Sequence, residues 1–425
     1  MASIATKKNI LISGGSIAGP SVAFWLNRYG FKTTLVERWD GVRPGGQNVD
    51  VENAGREALK RMGLEADVLA LHTKETGTNW ITTDGRSRLD MPMTGAVSAT
   101  NESEIQRGDF AQLLYDKTKS ETEWIFRDQI VAINERDDGV QVEFQSGKKG
   151  DYHAVVLADG VGSRTRKLIL GPDDYSFKPL GLYIAYWAIP REPSDPFYDK
   201  WQITPLPGRR LLSSRPERTA TYTNVFLMFL SPKSQGFEKL PKSEQVEALK
   251  PYLRGSGKYE ARYIAGLEKD KDLYLDYTGQ IHAKRWYSAG GRVALVGDAA
   301  YCATPVSGMG TPLSLVGAYI LAGELAKHAN DPKKGVQEYQ RLMTPYVKET
   351  QTLAPGIPSI AMPNSKWGIE VMYWILRTIV AVARFWSWSG LGRLVQRFSG
   401  PPKPEIDLPD YTALEVGRSS EAKKF

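Results

Sequence analysis

Hydrophobic and polar positions near the start of the chain follow the pattern of a β-α-β unit. An apolar run at residues 9–13 precedes the segment Gly-Gly-Ser-Ile-Ala-Gly at 14–19, and a helical pattern follows from about residue 20 to residue 29. A second apolar run at 33–36 then ends in Glu37. Strand, glycine turn, helix, strand and acid in this order predict a dinucleotide-binding unit.

The glycine turn explains what such a unit would bind. Small residues at Gly14, Ser16 and Gly19 would let the amides at the helix start approach a pyrophosphate, and Glu37 would accept hydrogen bonds from an adenosine ribose. The middle position of the G-x-G-x-x-G pattern is Ser16 instead of glycine. Because a serine still fits beside a phosphate and can donate a hydrogen bond, we predict nucleotide binding here; an ordinary strand-to-helix turn is the alternative.

Two later apolar runs also deliver an acid to a strand end. Residues 154–158 lead into Asp159 and Gly160, and residues 293–296 lead into Gly297 and Asp298. Open α/β sheets hold their ligands at the carboxyl ends of the strands. Nucleotide-type motifs so far apart in sequence therefore indicate one long ligand that is contacted at both ends.

An amphipathic segment between these motifs supplies a candidate cation. Residues 104–114 place three apolar side chains on one helical face, with Arg107 at the start of the helix. An arginine at that position can clamp a phosphate. An exposed arginine on an amphipathic helix is the alternative interpretation.

Taken together, these segments resemble the FAD-dependent monooxygenases of the single-component, aromatic-hydroxylase type, which include tetracycline-inactivating enzymes and fungal biosynthetic oxygenases. The resemblance covers about residues 8–325. It implies an α/β fold in which a β-sheet substrate domain is inserted into a Rossmann-like FAD-binding domain, followed by a C-terminal helical segment. The expected divisions are the FAD-binding domain at 1–171 and 288–350, the β-rich substrate domain at 172–287, and a C-terminal helical segment with a mobile tail at 351–425. Within this last division, the polar tail after Tyr411 is the part expected to be mobile.

The resemblance also implies roles for individual residues. The glycine loop and Glu37 would hold the ADP half, Asp159 would support both FAD and the reduced nicotinamide, and Asp298 would bind the ribityl chain. The loop at 43–51 would approach the flavin ring, and 305–310 would lie at its pyrimidine edge. The expected cofactor-binding residues are Gly14, Ser16, Gly19, Glu37, Arg38, Arg43, Gly46, Gln47, Arg107, Asp159, Asp298, Pro305, Gly308 and Gly310.

Composition narrows the function further. The net charge of +7 arises from basic residues scattered among nearly as many acids, so we expect no nucleic-acid partner; a mild positive field suits anionic FAD and NADPH instead. Cys302 is the single cysteine, and we expect it to be a small buried residue without redox chemistry. The four histidines show no metal-ligand spacing, and no metal site is predicted. The first eight residues carry no apolar leader, which favours a cytoplasmic location.

Between the motif at Asp159 and the motif at Asp298, strand-like runs at 183–189, 219–230 and 273–277 make up the expected substrate domain, with Trp187, Tyr222 and Phe226 as candidate pocket residues.

The resemblance implies that NADPH or NADH reduces FAD, that O₂ forms a C4a-hydroperoxyflavin, and that one oxygen atom enters an organic, aromatic or polycyclic secondary metabolite. No catalytic side chain is identified. A flavin-dependent reductase or dehydrogenase of the same fold, or a non-catalytic flavin-binding module, are the alternatives, and product mass separates them.

The C-terminal third is not explained by the cofactor. Residues 367–388 read as an apolar helix, but Glu370, Arg377 and Arg384 recur every seven residues and therefore lie on one face, which argues against a membrane-spanning helix. Three interpretations remain open: a helix packed across the two domains, an interfacial helix in peripheral contact with a membrane, and a dimer contact. The sequence does not specify the oligomeric state.

Overall fold

The structure is a computed structural model that describes residues 8–93, 103–192, 199–219, 221–353, 356–388 and 404–416. The strands, numbered in chain order, are β1 Asn9–Ser13, β2 Lys32–Glu37, β3 Asn48–Asp50, β4 Gly77–Ile81, β5 Ser87–Pro92, β6 Glu104–Gln106, β7 Thr122–Phe126, β8 Ile130–Glu135, β9 Val140–Phe144, β10 Lys149–Tyr152, β11 Ala154–Leu157, β12 Tyr175–Pro190, β13 Trp201–Leu206, β14 Arg210–Pro216, β15 Tyr222–Leu230, β16 Tyr274–Ala283 and β17 Val293–Leu295. The α-helices are α1 Ala18–Arg28, α2 Asn53–Met62, α3 Glu65–Ala70, α4 Arg107–Thr118, α5 Arg166–Ile169, α6 Lys242–Leu253, α7 Glu260–Lys269, α8 Asp298–Tyr301, α9 Gly310–Lys327, α10 Pro332–Thr350 and α11 Lys366–Trp388.

A parallel sheet in the order β17-β11-β1-β2-β7 forms the nucleotide-binding part of the fold. Its central strands are apolar because both of their faces are buried, as is usual for parallel sheets covered by helices. Since the strands run in the same direction, the carboxyl ends of β1, β2, β11 and β17 lie at one edge. Each of these ends leads into one of the segments that the sequence singled out, so the fold brings those segments together.

A second sheet, in the order β16-β12-β15-β14-β13-β4-β5, lies over that edge and contributes to the same cavity. The predicted strands at 183–189, 219–230 and 273–277 correspond to β12, β15 and β16, with different bounds. Side chains alternate between the two faces of the sheet. One face packs on α6 and α7, and the other faces the cavity.

The predicted division of the chain is wrong for two strands of this sheet. β4 and β5 lie within residues 1–171, which the sequence assigned to the FAD-binding domain, but β4 pairs in parallel with β13 of the second sheet. The pairing joins segments more than a hundred residues apart, and local hydrophobic pattern carries no information about it. A separate antiparallel sheet of β8, β9 and β10 extends the first domain.

Helix α11 packs against the outer edge of the second sheet through its charged stripe as well as through apolar side chains. Glu370 forms an ion pair with Arg88 of β5, Arg377 donates to the Arg88 carbonyl oxygen at 2.8 Å, and Arg384 donates to the Asp90 carbonyl oxygen at 3.3 Å. The three charges that recur every seven residues therefore all contact β5. Among the helices that the structure describes, none combines the length and the hydrophobicity that crossing a bilayer requires.

The segment that contains Tyr411 and the start of the predicted mobile tail is docked on the first domain. The Tyr411 side chain is buried, and its hydroxyl donates to Glu324 Oε1 at 2.7 Å. Further along, the amide of Val416 donates to the Arg28 carbonyl oxygen at 2.8 Å. The prediction of a mobile tail after Tyr411 is thus wrong for 412–416, because this aromatic anchor holds the segment; residues 417–425 lie outside the described part of the chain.

Candidate cofactor and substrate site

A cavity of about 1020 Å³ lies between the carboxyl edge of the parallel sheet and the second sheet. This volume is at the upper end of the roughly 300–1,000 Å³ of typical ligand pockets, as a long ligand would need. The predicted cofactor residues that line it are Gly14, Ser16, Glu37, Arg38, Arg43, Gly46, Gln47, Arg107, Asp159 and Asp298. The predicted residues Gly19, Pro305, Gly308 and Gly310 are outside this lining.

The glycine turn is tight because two backbone segments pass each other closely. A Cβ atom on Gly14, which has a φ of +108°, would lie 2.4 Å from the Ala158 carbonyl oxygen at the end of β11. A Cβ atom on Gly19 would lie 1.9 Å from the Gly14 carbonyl oxygen. The sequence analysis attributed these small residues to the approach of a pyrophosphate; in the structure their first requirement is contact within the protein, and it is Ser16 that faces the cavity.

Glu37 holds the cavity end of the glycine turn. Its Oε2 atom accepts a hydrogen bond from the Gly15 amide at 2.6 Å, and its Oε1 atom accepts one from the Trp39 amide at 3.1 Å. The carboxylate therefore lies at the carboxyl end of β2 and beside the turn. That is the position from which an acid contacts a ribose in dinucleotide-binding folds.

Arg107 begins α4 and reaches back across the loop at residues 43–46. Its guanidinium donates to the carbonyl oxygen of Arg43 at 3.1 Å, to that of Gly45 at 3.2 Å and to Ser16 Oγ at 3.2 Å. Burial lowers the pKa of Arg107 to about 10, and the nearby charge of Arg43 acts in the same direction. Among the described residues, no carboxylate lies within ion-pairing distance of Arg107, so its guanidinium is available to an anionic group of a ligand.

The loop that Arg107 contacts is held in place by a backbone hydrogen bond and by the pairing of two short strands. The Arg107 amide donates to the Gln47 carbonyl oxygen at 3.0 Å, and β3 pairs with β6 directly before the arginine. A Cβ atom on Gly46 would lie 2.6 Å from Arg107 Nε, so the glycine leaves room for the guanidinium. The family resemblance implied that this loop approaches the flavin ring; the contact that Gly46 makes in the structure is with Arg107.

Asp159 has its hydrogen bonds within its own loop. Its carboxylate accepts hydrogen bonds from Ser163 Oγ at 2.6 Å and from Thr165 Oγ1 at 3.0 Å. It lines the cavity, but these contacts show that it also organises the turn. The sequence analysis missed Arg166, which is buried and donates to the Ala299 carbonyl oxygen at 2.7 Å, thereby connecting this loop to the loop of Asp298. Its position in a polar, arginine-containing segment did not distinguish it from its exposed neighbour Arg164.

Asp298 begins the short helix α8 after β17 and faces the cavity. Burial raises the pKa of Asp298 to about 6, and Asp276 contributes in the same direction. Cys302 is buried nearby, as expected, and burial raises the pKa of its thiol well above the ordinary value. A buried thiol of this kind is a poor nucleophile at neutral pH.

The predicted residues after Asp298 are close to it without lining the cavity. Pro305 begins a 3-10 turn that ends at Gly308, and Gly310 begins the long helix α9. The Cβ position of Gly310 is 3.9 Å from Asp298 Oδ1. A contact between residues 305–310 and a flavin therefore remains a prediction.

The second sheet contributes an aromatic wall. Tyr186 packs edge-on against Phe226, with ring centroids 4.6 Å apart, and lies 5.5 Å from Tyr274. Asn224 also lines the cavity, and its side-chain amide nitrogen is buried with no hydrogen-bond partner. Trp187, a predicted pocket residue, is also among the residues that line the cavity, although its indole is buried and donates to the Tyr263 carbonyl oxygen at 3.1 Å. Because side chains alternate along the strand, the ring of Tyr186 lies on the opposite face of β12, in the aromatic wall.

Tyr222 and Phe226, the two other predicted pocket residues, line the cavity as well. Tyr186, Tyr274 and Asn224 were missed. The period of two along a strand shows which residues share a face, and it does not show which face meets the cavity.

A buried ion cluster, which the sequence analysis also missed, connects the two domains. Arg215 of β14 pairs with Glu75 at 2.7 Å and with Glu104 at the start of β6. All three side chains are less than a tenth exposed, and burial raises the pKa of Glu104 well above its ordinary value. Because β6 leads directly into Arg107, the cluster fixes the cofactor loop relative to the substrate sheet.

Comparison with known proteins identifies the family. The profile described as "FAD binding domain" matches residues 7–353, which is most of the chain. The chain belongs to this FAD-binding family. It is 32% identical to the FAD-dependent monooxygenase asL4 of Sarocladium schorii, over 93% of this chain and 98% of that protein. It is also 32% identical to Monooxygenase CTB7 of Cercospora beticola, over 96% of this chain and 98% of that protein.

Solved structures agree with the sequence comparison. Tetracycline destructase Tet(55) is 29% identical and superimposes with a TM-score of 0.76, over 95% of this chain and 99% of that protein. The predicted α/β fold and the predicted membership among FAD-dependent monooxygenases are thereby confirmed.

The residues of the cavity fit FAD. The glycine turn leaves no space for side chains, Glu37 stands at the ribose position, and the guanidinium of Arg107 lacks an anionic partner among the described residues. These features match the cofactor that the family binds. The assignment of individual residues to parts of FAD remains a prediction.

Proposed function

We propose that this protein is an NADPH- or NADH-dependent monooxygenase that inserts one oxygen atom from O₂ into an aromatic or polycyclic secondary metabolite. One observation carries the proposal: a single cavity extends from the glycine turn and Glu37 to the aromatic wall formed by Tyr186, Phe226 and Tyr274. A cofactor bound at the first end and a substrate bound at the second would share one cavity.

In this proposal the residues of the parallel sheet hold the cofactor. Glu37 binds the adenosine ribose, Arg107 neutralises the pyrophosphate or the flavin edge, and Asp298 binds the ribityl chain. Bound FAD supplies the activation of O₂, which protein side chains do not provide. The side chains bind, orient and exclude water, and this agrees with the lack of an identified catalytic acid or base.

The aromatic wall supports the proposed substrate class. Three aromatic rings offer a large apolar surface with defined geometry, as a planar polycyclic substrate needs. The unpartnered amide of Asn224 can donate to a substrate carbonyl or phenol oxygen, because a buried donor without a partner is costly until it is bound. The similar structure Tet(55) is named for its action on tetracycline, a polycycle, which supports the same class for this chain.

Four arginines of the cavity support a nicotinamide donor. Arg38, Arg43 and Arg164 line it in addition to Arg107, and a guanidinium can bind a phosphate group through paired hydrogen bonds. We propose that the nicotinamide docks transiently at this surface. A cytoplasmic location, where both nicotinamides are available, is part of the proposal.

The mass of the product tests the proposal. FAD-loaded protein is incubated with NADPH, air and a panel of polycyclic phenols, and the molecular masses of the products are measured by mass spectrometry. Gain of one oxygen atom for each NADPH oxidised is the expected result. Gain of two hydrogen atoms would make the protein a reductase, and no change with any compound, together with no stimulation of NADPH oxidation, would contradict enzymatic function on this class.

One variant pair tests the role of the wall. Asn224→Leu should raise KM by about tenfold at unchanged FAD content, since one hydrogen bond to the substrate is lost. The matched control, Asn134→Leu, changes an exposed asparagine of β8 outside the cavity lining and should leave KM within twofold. Equal KM values for the two variants would remove Asn224 from the proposed site.

A further inference from the structure

The exposed side of helix α11 is apolar, which is unusual for the surface of a folded domain. Trp367, Trp374 and Phe385 are 77%, 69% and 63% exposed. At 3.6 residues per turn these three side chains lie on nearly one line along about 27 Å of the helix. Ile375, Ile379 and Val382 are also about half exposed and lie beside this line.

The other side of the helix is already occupied. Ile369, Met372, Tyr373 and Val380 are buried, and the Tyr373 hydroxyl donates to the Ile81 carbonyl oxygen of β4 at 3.0 Å. The exposed line therefore points away from the body of the enzyme. The helix is anchored by one apolar face, while its second apolar face has no cover among the described residues.

The exposed apolar area of this helix face is larger than that of single, scattered apolar residues. An aromatic side chain offers roughly 150–250 Å², so the three aromatic residues alone expose roughly 300–500 Å². The largest apolar patch on a typical monomer is of this size, and such patches often mark an interaction site.

The charge around the patch indicates what covers it. Lys366, Arg377 and Arg384 flank the aromatic line, and the nearby acids Glu370 and Asp90 are paired with two further cations, Arg88 and Lys200. In the sequence, residues 371–404 contain five arginines and lysines and no aspartate or glutamate. Apolar aromatic residues bordered by a net positive charge match the interface of an anionic bilayer, where tryptophan lies at headgroup level and cations meet lipid phosphates.

The same charge disfavours a second copy of the chain as the cover. A symmetric contact through this face would place the basic flank of one protomer near that of the other, and like charges brought together at an interface oppose association. A bilayer-spanning arrangement does not fit either, since no described helix has the required length and hydrophobicity.

We propose that helix α11 docks this enzyme on an anionic phospholipid surface, lying in the plane of the interface with Trp367, Trp374 and Phe385 inserted among the lipids. Docking adds a location to the catalytic proposal and does not depend on it. The cavity lining contains none of these three residues, so we expect the same turnover with and without vesicles.

Vesicle flotation of the FAD-loaded, full-length protein tests the proposal. The protein should float with vesicles of phosphatidylcholine and phosphatidylserine, and tenfold less with phosphatidylcholine alone or at high salt. The triple variant Trp367→Ser, Trp374→Ser, Phe385→Ser should lose at least tenfold in partitioning. A matched control variant, Val131→Ser, Leu168→Ser, Phe177→Ser, removes three other exposed apolar side chains, each a little over 40% exposed, and should stay within twofold of wild type.

FAD content and thermal unfolding show whether each variant is folded; if the triple variant is not, Trp374→Ser alone should lose about threefold. Failure of wild type to float with anionic vesicles would overturn the proposal, and so would equal flotation of wild type and the α11 variants. Sedimentation velocity provides the remaining outcome: a wild-type dimer that the triple variant converts to monomer, without vesicle binding, would make the face a contact between copies of this chain.

Discussion

Replacing Arg107 with methionine should weaken FAD binding by roughly 10- to 150-fold. The guanidinium is largely buried, has no carboxylate partner among the described residues, and has a pKa lowered to about 10 by burial and by Arg43. A hydrogen bond to a charged group contributes about 1.5–3 kcal/mol, and each 1.4 kcal/mol is a factor of ten in affinity. The loss of one contact between Arg107 and an anionic cofactor gives the stated range.

The same change should also destabilise the protein without cofactor. Arg107 holds the carbonyl oxygens of Arg43 and Gly45 and the hydroxyl of Ser16. At about 1 kcal/mol for each hydrogen bond, the apoprotein should lose about 1–3 kcal/mol of unfolding free energy. Binding and stability must therefore be measured separately.

Fluorescence titration of apoprotein with FAD gives the dissociation constant, and urea unfolding of the apoprotein gives the stability. Arg107→Lys keeps the charge but cannot span the loop, so its affinity should lie between those of wild type and Arg107→Met. Arg136→Met, on a surface arginine outside the cavity lining, is the matched control and should bind FAD as wild type does. An Arg107→Met variant that binds FAD within twofold of wild type would refute the assignment of this residue to the cofactor.

Three further changes test other parts of the account. Gly19→Ala should cost more than about 3 kcal/mol of unfolding free energy in urea, because its Cβ atom would meet the Gly14 carbonyl oxygen at 1.9 Å. In the control Gly162→Ala, the Cβ atom meets nothing within 4 Å, and the loss should be less than about 0.5 kcal/mol. Equal losses in the two variants would contradict the packing argument. Asp298, with a pKa raised to about 6, keeps its proton to a higher pH in the folded state than in the unfolded state. The unfolding free energy of wild-type apoprotein should therefore fall by about 1–3 kcal/mol as pH rises from 4 to 7, while Asp298→Asn lacks this component; identical pH profiles would exclude it. Arg215→Met leaves two glutamates buried without their cation and should lower the unfolding free energy by about 3–5 kcal/mol. A loss below about 1 kcal/mol would show that the cluster is not structurally important.

The parallel sheet and its ligand edge were predictable because their signals are local. Each motif follows directly after a short apolar strand, and parallel strands end at a common edge, so Glu37, Asp159 and Asp298 had to converge. The family resemblance rests on these motifs and is confirmed by the match of residues 7–353.

The remaining features depend on contacts between distant segments. The pairing of β4 with β13 moved 77–92 into the substrate sheet, and nothing in either strand specifies its partner. The choice of Tyr186 for the aromatic wall depends on which face of β12 meets the first domain. Gly14 lies in the predicted turn and Gly19 in the first turn of α1, and the reason for the small size of both is a backbone approach that only the folded chain shows.

The charged stripe of α11 was visible in the sequence, and its partner was not. Glu370, Arg377 and Arg384 recur every seven residues, but which surface they contact depends on β5, nearly three hundred residues earlier in the chain. The opposite, apolar face followed from the same periodicity. Only the structure showed that it is exposed.

The central claim, that one cavity joins a flavin site to an oxygenation site, is tested most directly by isotope labelling. FAD-loaded protein, NADPH and an accepted substrate are incubated under ¹⁸O₂ in ordinary water, and in parallel under ordinary O₂ in H₂¹⁸O. The account predicts that the product carries one ¹⁸O atom in the first reaction and none in the second. Turnover of a verified substrate with no label from ¹⁸O₂ would contradict it.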